Sequence, residues 1–217
     1  MTDGVARLVA VMDRLRSPGG CAWDAEQTHA SLAPYALEEA HELVEAIESG
    51  SRAHLREELG DVLLQVVFHA RVAQEDPAEP FDLDDIADAC ADKLVARHPH
   101  VFCDQEAGTM REHLERWDRL KAGEKAATRG SALDGVPPTL GGLARAQKLI
   151  GRADRAGLPV DAPGGDDLGE QLLALAARAH ADGVDAEAAL RAATRRLEAA
   201  ARAAEQGRRG VTEGSPE

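Results

Sequence analysis

Residues 34–74 read PYALEEAHELVEAIESGSRAHLREELGDVLLQVVFHARVAQ, and this stretch decides the fold. Leu37, Leu43, Val44 and Ile47 recur at helical spacing before Gly50, with Pro34 expected in a first turn, where proline is tolerated. Ser51 is placed to cap a second helix that runs to about Gln74 and stops before Pro77. The stretch is therefore a helical hairpin turning at Ser49-Gly50-Ser51. On its second helix, Val62, Leu63, Leu64, Val66, Val67 and Phe68 point in nearly every direction, and a helix apolar all round is buried all round. A single small unit covers such a helix poorly, so the pattern predicts an intertwined homodimer in which a second copy supplies the missing face.

The same hairpin concentrates acids. Glu38, Glu39 and Glu42 lie on the first helix, and Glu58 and Asp61 on the second. Folded back about Gly50, Glu42 meets Glu58, each eight residues from the glycine, and Glu39 meets Asp61, each eleven away. An apolar stripe of Leu55, Leu59, Val62, Leu63 and Val66 occupies one side of the second helix, while Glu58, Asp61 and Gln65 occupy another. Four converging carboxylates repel one another unless a cation intervenes, and an all-oxygen ligand set suits Mg²⁺, or Mn²⁺, better than zinc. A ferritin-like di-iron centre is the metal rival, because Glu38-x-x-His41 and Glu26-x-x-His29 match its E-x-x-H element. It fits less well, since the facing acids Glu58-x-x-Asp61 bring no histidine.

Working outward, Val5 to Leu15 forms a first amphipathic helix. Asp82 with Asp85 caps a helix ending at His98-Pro99, and Thr109 with Glu112 makes a capping box for another. On the helix after Asp82, Leu83, Ile86, Cys90 and Leu94 mark an inward stripe, and a helical wheel puts Lys93 and Arg97 on the same side. Such a cationic pair beside a carboxylate-bound metal suits a polyphosphate. Trp117 and Lys121, one turn apart, are placed to offer an indole to a base and an ammonium to a phosphate. No alternating strand of useful length is present, so the fold class is all-α, a four-helix-bundle-like domain.

Composition narrows the partners. A net charge of −14 over 217 residues argues against nucleic acid or an anionic membrane. Three cysteines without a C-x-x-C pair read as free thiols of a cytoplasmic protein, and no membrane span is expected. All aromatics fall at or before Trp117, and the chain changes character near residue 125. The expected organisation is a first domain over 1–125, a Gly/Pro-rich linker over 126–139, a helical segment over 140–205 and a disordered tail over 206–217. Within the third segment, one helix is expected from Leu143 to Ala156 and one long helical stretch from about Leu168 to Glu205.

The blocks GCAWDAEQTHASLAPYALEEAHELVEAI, LREELGDVLLQVVFHA, DKLVARHPHVF, ERWDRLK and SALDGVP resemble, in order, those of MazG proteins. The likeness covers about residues 5 to 150. Such proteins are similar to dimeric dUTPases and other all-α NTP pyrophosphatases, which convert nucleoside triphosphates (NTP or dNTP) to monophosphate and pyrophosphate. Carried over by position, the resemblance implies metal ligands at Glu39, Glu42, Glu58 and Asp61. It implies a general base or further ligand at Glu38, phosphate contacts at Lys93 and Arg97, and nucleotide contacts at Trp117 and Lys121. The chain departs from the family in CAWD, where CPWD is frequent, an exchange that touches only a local turn. It also departs after Leu140, where LARAQKLIGRADRAGLPVD begins like a second copy but carries no EExxE, so residues 140–205 read as a degenerate repeat without its own metal site. Two alternatives remain open: a nucleotide- or protein-binding regulator with a vestigial site, and a specialised dUTP or dCTP pyrophosphatase.

Overall fold

A computed structural model of the chain describes residues 4–103, 109, 112, 116, 130–158 and 164–213, with side chains through residue 208. All regular elements among these residues are helices. The chain divides into two compact units, Met1–Asp118 and Arg119–Glu217.

The first unit comprises α1 (Gly4–Arg16), α2 (Ala22–Glu26), α3 (His29–Ser49), α4 (Arg52–Ala73), α5 (Leu83–Arg97) and α6 (Pro99–Phe102). The hairpin is α3 and α4, joined through Gly50, whose φ of 73° is the left-handed conformation that ends a helix at little cost to glycine. The Ser51 side chain accepts from His54 N and opens α4, as the sequence predicts. Helix α3 starts earlier than Pro34. Thr28 and Ser31 form a reciprocal capping box, so Pro34 lies inside the helix rather than in its first turn. The ring denies a bond to the Ala30 carbonyl, which is on an exposed residue and can be met by water. Asp82 and Asp85 cap α5 reciprocally, and Thr109 and Glu112 make the hydrogen bonds of their capping box, although most of the helix expected beyond them lies outside the described residues.

Helix α4 is central and packs against α1, α3 and α5. Met12, Leu32, Val67 and Phe68 form the buried core, with Leu8, Val9, Leu15, Leu64, Val72 and Leu83 against it. Burying each such side chain contributes roughly 1.5–3 kcal/mol. Arg16 locks the end of α1 to the end of α4. Its Nε and Nη2 donate to Glu75 at 3.1 and 2.8 Å, its Nη1 to the carbonyls of Asp24 and Gln27, and its guanidinium lies 5.5 Å from the Phe68 ring centroid. Beyond this core, the apolar stripe on α4 is only partly covered: Leu55 and Val62 are half-buried, while Leu59, Leu63 and Val66 are 51%, 36% and 39% exposed.

The second unit holds α7 (Gly142–Arg155), α8 (Leu168–Ala181) and α9 (Ala186–Glu213), each packed on the other two. The single helical stretch expected from Leu168 to Glu205 is broken at Gly183, whose φ of 67° leaves the helical region. Gln147 pins this break, donating to the Val184 carbonyl and accepting from Ala186 N at 2.8 Å. Helix α9 runs on to Glu213, into the segment expected to be disordered. Its Ala/Arg/Glu composition favours helix, and Glu198 pairs with Arg202 one turn on. Among the described residues, no helix is long and apolar enough to cross a membrane.

Candidate metal centre

Glu39, Glu58 and Asp61 each offer one oxygen within 4.8 Å of the others. Oxygens on opposite sides of one Mg²⁺ lie about 4.2 Å apart, so modest side-chain rotation closes this set on a small cation. The spacing follows from the hairpin. Helix periodicity stacks Glu58 and Asp61 on one flank of α4, and the turn at Gly50 brings Glu39 opposite.

Glu58 is the most enclosed of the acids at 5% exposure. Its Oε1 is 2.9 Å from His54 Nε2, one turn earlier on α4, while its Oε2 is buried with no hydrogen-bond partner among the described residues. A buried carboxylate oxygen left bare is unfavourable unless something else meets it, and a cation suits an oxygen in this position. Around it, partial burial first and the neighbouring Asp61, Glu42, Glu58 and Glu38 next hold the Glu39 carboxyl above its ordinary range. Glu42 is likewise raised, by desolvation and then by Glu58, Glu38, Asp61 and Glu45. The strongest charge partner of Glu39 is thus Asp61 and that of Glu42 is Glu58, the pairing that the mirror about Gly50 predicts. Glu42 differs from the other three acids in one respect: it is exposed and stands outside the tight trio, as does Glu38.

The basic pair separates. Arg97 is buried at 8% exposure, whereas Lys93 is exposed. The inward stripe on α5 is shorter than the sequence suggests, because Leu83 and Ile86 are half-buried while Cys90 and Leu94 are exposed. With only α4 packed against it among the described helices of this unit longer than α6, α5 finds cover for one end of that stripe. Trp117 and Lys121 lie outside the described residues. Sequence reasoning gave His54 no role. Its only signal was a position four residues before Glu58 on the same helix face. All three cysteines are free.

Carboxylates from two antiparallel helices, drawn together beside a bare buried oxygen in an all-α unit, define the class: a helical protein equipped to bind a cation. Residues 27–102 match the MazG nucleotide pyrophosphohydrolase domain. The chain is 52% identical over 199 residues to an uncharacterised 26.1 kDa protein of Streptomyces cacaoi, covering 91% of this chain and 81% of that one. It is 36% identical over 212 residues to the nucleoside triphosphate pyrophosphohydrolase/pyrophosphatase MazG of Thermotoga maritima, covering 88% and 81%. It is 48% identical over 155 residues to the nucleoside triphosphate pyrophosphohydrolase of Escherichia coli K12, covering 70% of this chain and 58% of that protein, so it spans little more than half the length of that relative. The chain belongs to the MazG family, hydrolases that act on phosphoric anhydrides.

Proposed function

We propose that the chain hydrolyses nucleoside triphosphates, ribo- or deoxyribo-, to monophosphate and pyrophosphate in a reaction that depends on Mg²⁺, with Mn²⁺ able to replace it. The observation that carries this reading is the convergence of Glu39, Glu58 and Asp61 beside the unpartnered Glu58 Oε2. Those three residues, with Glu42 at the rim, would hold the cation. Bound there, it supplies positive charge against the triphosphate oxygens and acidifies water. His54 fixes one oxygen of Glu58 and so sets the direction of the other.

In this reading Glu38 accepts the proton of the attacking water. Oxygen bonds to the α-phosphorus, the bond from that phosphorus to its bridging oxygen breaks, and pyrophosphate leaves with the bridging oxygen. Lys93 and Arg97 add fixed positive charge along the phosphates. Trp117 and Lys121 contact the nucleotide. The exposed face of Leu59, Leu63 and Val66 favours a homodimer, since isolated apolar residues are ordinary on a surface but a contiguous helix face is not. Residues 140–205 serve as a degenerate second repeat that packs or supports the dimer, and the free thiols suit a cytoplasmic protein.

The test is to incubate the full chain with a panel of NTPs and dNTPs and Mg²⁺, beside Glu42→Gln and Glu58→Gln, and resolve products by anion exchange. Monophosphate and pyrophosphate, lost in the variants, is the expected result, and the panel ranks dUTP and dCTP against the rest. Diphosphate with phosphate would refute attack at the α-phosphorus. Nucleotide that is bound but left intact would favour the regulator.

A further inference from the structure

His29 opens α3 and His69 lies near the end of α4, twenty-one residues before Gly50 and nineteen after it. The two meet at the open end of the hairpin whose other end Gly50 closes. Their Nδ1 atoms are 2.7 Å apart. The ring planes are parallel to within 2° and the centroids lie 5.0 Å apart, the greatest separation that two imidazoles joined over 2.7 Å reach. Both nitrogens therefore lie on the line between the ring centres, and the rings are coplanar, meeting edge to edge.

This geometry admits one proton. An imidazole Nδ1 either donates or accepts, so one ring carries Nδ1–H and the other a bare lone pair. If the donor ring takes a further proton on its Nε2, the bond survives and becomes charge-assisted. If the acceptor ring takes a proton on its Nδ1, two N–H groups confront each other and the bond is lost. His69 is half-buried whereas His29 is exposed, and burial makes His69 the worse place for a charge. Burial first, and the neighbouring His29 next, hold the His69 imidazole below its ordinary value of 6.5. His69 is thus the acceptor and the later of the two to charge.

The charged groups of the surrounding elements leave the pair to govern itself. On α4, Gln65 and Val66 lie one turn before His69 and Val72 and Ala73 one turn after, all uncharged, and the buried Gln65 Oε1 has no hydrogen-bond partner among the described residues. Arg71 and Glu75 of α4 are taken by Asp13 and Arg16 of α1. On α5, Asp85 caps the helix start and Asp84 lines a groove shared with α1. Glu26 is exposed at the end of α2. Asp76, in the turn after α4, is the acid that feels the pair: N–H bonds from Ala78 and Glu79 first, and His29 in smaller part, hold its carboxyl below the ordinary range.

We infer that His29 and His69 form a proton-operated clasp: one shared proton fastens the open end of the α3–α4 hairpin, and a further proton on the acceptor ring releases it. Release frees the first turn of α3 from α4 while the Gly50 end stays joined. Glu39, Glu58 and Asp61 lie between the two fasteners, so mild acid loosens the frame that holds them. The clasp follows from the two imidazoles alone and does not depend on the hydrolase reading.

The linkage has a definite sign. Below 6.5 the unfolded chain binds a proton at position 69 that the folded chain resists, so the contribution of this group is present above 6.5 and is lost as pH falls through the lower folded-state value. The experiment uses the full chain labelled with ¹⁵N-histidine, with His29→Phe and His69→Phe to assign the resonances. At about pH 8, one ring of the pair should carry its proton on Nδ1, and below about pH 5 both rings should be doubly protonated. Denaturant melts read the consequence. The folding equilibrium constant of the parent should fall more steeply in acid than that of His69→Phe, which keeps a ring but cannot titrate, by up to about tenfold per pH unit. Two Nε2–H rings at about pH 8, or the same pH dependence in parent and variant, overturn the inference. If His69→Phe does not fold, the parent's own spectra decide, because a pair without an Nδ1 proton has no clasp.

Discussion

His54 Nε2 sits 2.9 Å from Glu58 Oε1, so that one oxygen of this carboxylate is engaged within α4 while the other is buried with no hydrogen-bond partner among the described residues. The arrangement holds the Glu58 carboxylate in place, which on the proposed reading makes it a fixed ligand rather than a mobile surface acid. His54→Ala should weaken Mn²⁺ binding by about tenfold, the scale on which supporting residues act at metal sites, with little change in melting temperature. His54→Gln, which keeps a donor, should recover part of it. Titration followed by electron paramagnetic resonance measures both. An unchanged affinity in His54→Ala would show that Glu58 needs no such support.

Glu39 and Glu42 each contribute to the response to pH. Both carboxyls are raised above their ordinary value of 4.5, so the folded chain keeps these protons to higher pH than the unfolded chain does. Their contribution to stability then declines as pH rises from about 4.5 through the folded-state values. On the proposed reading, a divalent cation takes over from the protons. Melting curves should show a larger gain on adding Mg²⁺ near neutrality than below pH 4.5, and Glu39→Gln with Glu42→Gln should abolish the difference. An equal gain at both pH values would place the cation elsewhere.

Arg16 and Glu75 supply the opposite case. Hydrogen bonding to the buried Arg16 guanidinium holds the Glu75 carboxyl below its ordinary range, against the effect of its own partial burial. Its contribution is present above 4.5 and is lost as pH falls through the lower folded-state value. Glu75→Gln should cost about 1–2 kcal/mol near neutrality, reduced from the figure for a fully buried pair because Glu75 is 44% exposed. The loss should shrink in acid, which denaturant melts at two pH values will test.

Leu59 and Leu63 test the second copy. A lysine at either position leaves the core of Met12, Leu32, Val67 and Phe68 untouched while charging the exposed face of α4. Sedimentation equilibrium should find a dimer for the parent and monomers for Leu59→Lys or Leu63→Lys. A dimer that survives both substitutions uses another surface.

The sequence made the hairpin legible because its punctuation is local: Gly50 and Ser51 act within a turn, and equal spacing about Gly50 pairs Glu39 with Asp61 and Glu42 with Glu58. Features that depend on what lies across a gap were harder to read. Cys90 and Leu94 have the right period for a core but no helix opposite them among the described residues. Thr28 took the cap because its partner Ser31 answers it, and so carried α3 past Pro34 on its N-terminal side. Gly183 breaks an otherwise continuous alanine-rich pattern by one backbone angle, which periodicity cannot register. Gln65 was visible on the acidic flank, but its missing hydrogen bond is a property of three helices together.

The turn at Gly50 also orders events in time. Every acid of the centre lies on α3 or α4, so a short loop closes the whole ligand set, and contacts so near in sequence form fast and at small entropic cost. Closing that loop is enough to assemble the negative groove, and the hairpin carries its own repulsion. On the proposed reading, a cation that binds this groove binds the closed hairpin alone, and so favours its closure as well as serving its chemistry.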